Sequence, residues 1–172
     1  MPTISRLLQR VFATGAGLSM AFVFGIIFLN SLRRYTTGES LRWGEELPIY
    51  LSIYGVMFGI ALAYLQDSHI RFTILTDFLP EKIRSRLFAA MDLVTAATGA
   101  ALCWSGIAFA SRRGSVEASG IISTARDLAE TTGFEPLVWI GRMGTWQSAI
   151  AFGGVLLTIA ALVRFATRLR EA

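Results

Sequence analysis

Asp92 is the residue with the strongest claim to chemistry. It is the only charged side chain between residues 87 and 110, and a carboxylate in an apolar helix that crosses a bilayer is costly enough to suggest a use. It stands five residues beyond Leu87, about 7–8 Å along a helix. At that depth a structural role is expected, through pairing with Arg84, Arg86 or a partner chain. The alternative is a proton- or ion-coupling group. Glu45 and Glu46 are a second pair of acids. Adjacent helical residues do not face each other, so they make a poor acid/base dyad, and they better suit the positive end of a helix that begins there. His69 is the single histidine, with Asp67 and Arg71 close by in sequence but no second histidine and no HExxH spacing. It reads as a hydrogen-bonded interface residue rather than a metal ligand. Cys103 is the single cysteine, which excludes an internal disulfide and CxxC chemistry. There is no Walker motif, dinucleotide fingerprint or glycine-rich phosphate loop. No catalytic residue, cofactor or metal is expected, and the chain is not read as an enzyme.

The elements that hold these residues follow from the distribution of charge. Of 172 residues, 53% are hydrophobic and 16% charged, with a mean hydropathy of +0.54. The charges cluster between long apolar runs, as in a chain built for lipid. The run 11–32 has 22 uncharged residues, about 33 Å of helix, which matches the hydrocarbon core of a bilayer. It is too long for a signal-peptide core, and Arg33–Arg34 follow it in place of a small-residue cleavage site. Further spans are expected at 47–65, 87–110 and 144–163. The fold class is therefore all-α integral membrane, with four transmembrane helices plus short interfacial amphipathic helices, forming a single membrane domain over 1–172.

The net charge of +4 and the pI of about 9.8 do not indicate nucleic acid. All the basic residues except Lys82 are arginines, and many lie at the ends of apolar runs, where they snorkel to headgroups. Nine basic residues flank the N-terminal, second-connection and C-terminal side, against seven on the other, so the positive-inside rule places both termini in the cytoplasm. Small residues recur every four positions at Ala13, Gly17, Ala21 and Gly25, and again at Gly55, Gly59 and Ala63. They predict close helix packing within the chain or against a partner. The connection 35–46 carries Trp43 beside acids and belongs at the membrane surface. The connection 71–86 suits a short interfacial helix ended near Pro80. The longest, 111–143, is predicted to hold a short helix around 123–131, with Trp139 and Trp146 as interface anchors.

From Trp43 to Arg84 the chain resembles the small, DctQ-like membrane subunit of tripartite ATP-independent periplasmic (TRAP) transporters. The likeness rests on Trp43-Gly44-Glu45-Glu46, then Gly59-Ile60-Ala61-Leu62-Ala63, His69-Ile70-Arg71, Asp77-Phe78-Leu79-Pro80 and Arg84, in that order. The four-helix layout extends it across the chain, and 111–143 departs from the family's usually more compact connection. The resemblance implies a bacterial inner-membrane protein without catalysis. It would scaffold a large TRAP membrane subunit that uses an ion gradient, and a periplasmic substrate-binding protein would deliver an organic acid. On this resemblance Trp43, Glu45, Glu46, Gly59, His69, Arg71, Pro80 and Arg84 order the interfacial segments or meet the large subunit. A competing reading is a self-sufficient homodimeric transporter coupled to protons through Asp92.

Overall fold

The computed structural model describes residues 2–66 and 79–171. His69, Arg71 and the stretch 71–78, where most of the short interfacial helix before Pro80 is expected, lie outside the described residues.

Five α-helices and one 3-10 turn account for nearly all of the described chain: α1 (Pro2–Thr37), α2 (Glu46–Leu65), α3 (Glu81–Arg112), α4 (Ser119–Thr132), the turn Glu135–Gly141, and α5 (Met143–Glu171). Four of them, α1, α2, α3 and α5, are long and apolar enough to cross a membrane, and the protein is a multi-pass membrane protein. The helices outrun the uncharged runs because hydropathy stops at the first charge while backbone hydrogen bonding continues. α1 has 36 residues, about 54 Å, and passes through Arg33 and Arg34. The Thr36 and Thr37 hydroxyls bond back to the carbonyls of Leu32 and Arg33, and Gly38, with φ of +76°, closes the last turn by donating to the Arg34 carbonyl. α3 begins at Glu81 rather than 87. Pro80, which cannot continue a helix backwards, sits at its N-cap with ψ of 143°, and the Pro80 carbonyl takes the first N–H groups, from Ile83 and Arg84.

The spanning helices stand side by side in the order α1–α2–α5–α3. The α3–α5 seam is the closest. Glycines let the two backbones touch: a Cβ on Gly106 would run into the backbone of Ala151, and one on Gly154 would run into that of Cys103. Lipid offers no hydrophobic drive between helices, so this approach supplies the packing contacts that hold the pair. Cys103 sits in this seam as a half-buried thiol. α1 packs on α2, where Gly15 faces the Phe58 ring and Gly55 faces Ser19 and Met20. The expected α1 stripe does not serve this packing: Ala13, Gly17 and Ala21 are exposed, and a Cβ on Gly17 or Gly25 would meet nothing within 4 Å.

α4 is the expected short helix of the third connection, longer than 123–131 and strongly amphipathic. Ile121, Ile122, Ala125 and Ala129 are buried, while Arg126, Asp127 and Glu130 are exposed. Its apolar face lies on the 3-10 turn, with Ile122 against Gly141. A single antiparallel bridge, Glu117 with Arg142, ties the two ends of the connection together.

Candidate functional site

Polar side chains gather at both ends of the helix row. At the end where α1 starts and α5 stops, the apolar core is Phe12, Ala61, Tyr64, Leu65, Ala96, Leu156, Ala160 and Ala161. Asp92 of α3 is set against this core and is 1% exposed. Both of its oxygens are occupied. Tyr64 of α2 donates its hydroxyl to Oδ1 at 2.6 Å, and Arg168 of α5 donates Nε–H to Oδ2 at 2.7 Å. The Arg168 guanidinium also lies over the Phe88 ring, 5.0 Å from its centroid, a cation–π contact. The partner closing on Asp92 is thus Arg168, in place of the expected Arg84 or Arg86. Those two are near in sequence, but α3 starts early enough to leave them two turns or so further out. Arg168 stands five residues beyond the apolar run 144–163, and the extended α5 brings it back to the carboxylate. A buried acid held by a guanidinium and a phenol joins three helices, and it presents no vacant oxygen to an ion.

At the opposite end, Glu46 opens α2 and reaches the first turn of α4. Its Oε1 accepts from the Ser119 hydroxyl at 2.7 Å, and its Oε2 accepts from the Gly120 N–H at 3.0 Å. A carboxylate placed on the free N–H groups and positive end of a helix is stabilising there. Gly120 is pressed on the turn before α2, where a Cβ would collide with the Arg42 carbonyl. Asn30 of α1 fixes the same turn by accepting the Leu41 N–H at 2.7 Å. The Ala118 N–H donates to the Gly141 carbonyl and the Met143 N–H to the Val116 carbonyl, each at 2.8 Å.

An aromatic cluster binds this end to α5. The Trp146 ring stacks on Tyr50 at 5.4 Å and meets Tyr54 edge-on at 6.4 Å, and its Nε1–H donates to the Ile140 carbonyl at 2.7 Å. The Tyr54 hydroxyl donates to the Thr145 carbonyl at 2.8 Å. Trp146 is therefore a half-buried packing residue, whereas Trp139 is 65% exposed.

The residues singled out from sequence fall in different places. Trp43 is half-buried in the turn before α2. Glu45 is exposed and makes no capping hydrogen bond, so the two adjacent acids diverge. Gly59 has nothing within 4 Å of where a Cβ would stand. Pro80 stands at the N-cap that opens α3, and Arg84 lies 3.9 Å from Glu81 on the same helix. Among the described residues no group of three or more His, Cys, Asp or Glu side chains is placed to hold a metal ion. Sequence reasoning missed Tyr50, Tyr54, Asn30 and Ser119, and read Arg168 as an anchor to headgroups rather than as the partner of Asp92. The one available signal was the Tyr50/Tyr54 spacing of four, which puts both rings on one helix face.

Four apolar spans and two polar clusters that join helices to one another define a multi-pass membrane component. Residues 23–171 match the family model described as "Tripartite ATP-independent periplasmic transporters, DctQ component", and the chain belongs to that family of transporter small permease components. The match extends across 111–143. The chain is 24% identical over 139 residues to the sialic acid TRAP transporter small permease protein SiaQ of Vibrio cholerae, covering 80% of this chain and 69% of that one. It is 39% identical over 62 residues to the sialic acid TRAP transporter permease protein SiaT of Haemophilus influenzae, covering 36% of this chain but 10% of that one. A putative TRAP transporter small permease protein of Haemophilus influenzae is 26% identical over 81 residues, covering 47% of this chain and 49% of the relative.

Proposed function

We propose that this chain is the non-catalytic small permease subunit of a TRAP-type secondary transporter in a bacterial inner membrane, with both termini in the cytoplasm. As a single membrane domain it scaffolds a large membrane subunit, which uses an ion gradient to take up an organic acid delivered by a periplasmic binding protein. The observation that carries this reading, beyond the family, is the saturation of Asp92 by Tyr64 and Arg168. A carboxylate engaged on both oxygens by a permanent cation and a phenol is suited to fastening helices. It is poorly suited to the repeated loading and release of a proton that a self-sufficient transporter needs.

The partner surface is drawn from what the row leaves open. Exposed Ala13, Gly17 and Ala21 on α1, together with open Gly59 on α2, allow another helix to approach closely. Trp43 and Glu46 serve assembly by ordering the turn and α4, while exposed Glu45 is a contact for the large subunit. His69, Arg71, Pro80 and Arg84 are assigned to the connection on the other side. Undiminished assembly and uptake in Glu46→Ala combined with Arg71→Ala would remove that assignment.

Uptake of labelled organic acids by cells is the functional test, with sialic acid first because two of the relatives are named for it. Transport is expected when the chain, a large hydrophobic partner and a binding protein are all present, and at background when any one is missing. Gradient-driven uptake by this chain alone, abolished by Asp92→Asn, would contradict the proposal.

A further inference from the structure

Between the end of α1 and the start of α2 lies a cavity of about 510 Å³, lined by Arg33, Glu39, Ser40, Leu41, Arg42, Trp43 and Thr124. We propose that it is a binding site for the phosphate headgroup of an anionic membrane phospholipid.

The depth of the cavity points to this ligand. Arg33 is the first charge after the uncharged run 11–32, so its guanidinium stands where hydrocarbon gives way to headgroups. Arg42 supplies a second guanidinium, and planar forks of this kind pair with phosphate oxygens two at a time. The hydroxyls of Ser40 and Thr124 add donors, and Trp43 brings an indole, the side chain that favours headgroup level.

The walls are fixed before any ligand arrives. Asn30 holds the Leu41 N–H at 2.7 Å, and Gly120 seats α4 on the Arg42 carbonyl. Glu46 pins the first turn of α4 through Ser119 and Gly120, one turn before Thr124. A preformed pocket loses little freedom on binding.

The lipid tail has a path as well. One turn deeper on the Arg33 face is Leu29, 55% exposed, and one turn below that is Gly25, where a Cβ would meet nothing within 4 Å. The α1 face below the cavity is thus apolar and notched, as an acyl chain requires, whereas a soluble anion has no use for it. One carboxylate competes: Glu39 lies 3.7 Å from Arg33, with side chains 77% and 44% exposed respectively. Such an exposed pair is weak, and Glu39 can swing into water when a phosphate enters.

The test is native mass spectrometry of the full chain in mild detergent, titrated with dioleoyl phosphatidylglycerol. Arg33→Gln combined with Arg42→Gln should weaken binding roughly tenfold or more, as expected for losing charge-assisted hydrogen bonds. Arg112→Gln combined with Arg113→Gln, a basic pair outside the cavity, should leave it unchanged. Glu39→Gln, at an exposed position that does not threaten folding, should tighten binding about twofold. Equal weakening by the two arginine pairs would mean general charge attraction and overturn the proposal. So would unchanged or weaker binding in Glu39→Gln, or displacement of the lipid by millimolar inorganic phosphate, which would make the ligand a soluble anion.

Discussion

At one end of the helix row Asp92 is sealed between Arg168 and Tyr64 at 1% exposure. At the other, Glu46 lies half-buried across the first turn of α4, accepting one hydroxyl and one backbone N–H. Both carboxylates join segments far apart in sequence, but their energetics differ. Asp92 has a full opposite charge in a nearly dry site, so its loss strands a cation. Glu46 faces partial charges at a helix end near water, so its loss frees groups that water satisfies. One end is fastened by an ion pair, and the other is assembled from many weaker contacts, including the Tyr50–Trp146 stack.

The largest expected effect strikes the ion-pair end. Asp92→Leu or Arg168→Leu alone should destabilise the protein by about 3–5 kcal/mol, while the double variant recovers much of that loss. Thermal unfolding in detergent reads the cycle, and a double variant no better than its parents would show that no charge is stranded. Next comes Gly120→Val, whose side chain must displace the Arg42 carbonyl. It should cost about 1–3 kcal/mol and loosen the other end, seen as faster hydrogen exchange over 119–132 with protection around Asp92 kept. Loss of protection at both ends together would erase the distinction between them. Glu46→Ala should cost about 0.5–2 kcal/mol, the usual range for a lost helix cap, with the exchange change again confined to α4. Trp146→Phe keeps the stack but removes the bond to the Ile140 carbonyl, a loss of about 0.5–1.5 kcal/mol in the same unfolding assay. Smallest is Glu45→Ala, expected within about 0.5 kcal/mol of the parent because the side chain is exposed and uncapping. A larger drop would place Glu45 in the fastening of this end.

The fold was legible because bilayer thickness leaves its mark as uncharged runs, and each of the four runs expected from sequence lies within one long helix. Helix ends were less so: α1 reaches Thr37 and α3 begins at Glu81, since termination depends on Gly38 and Pro80 rather than on charge. The polar clusters were legible by one partner only. Asp92 and Glu46 stand out locally, but Arg168 lies 76 residues from Asp92 and Ser119 lies 73 from Glu46. Nothing in a linear pattern chooses them. For Asp92 the nearest arginines drew the expectation to Arg84 and Arg86, because proximity along the chain stood in for the α3–α5 seam. Trp146 was expected as an interface anchor, and its half-buried ring also stacks on Tyr50 of α2, a contact that its place in the sequence does not announce.

The central claim, a small subunit whose polar residues fasten helices rather than move a solute, is tested most directly by its company in the membrane. The chain would be tagged, extracted gently from its native membrane, and everything that copurifies quantified by mass spectrometry. One very hydrophobic partner, much larger than this chain and present at equal stoichiometry, is the predicted result. A homo-oligomer that is stable and transports solute without any partner would contradict it.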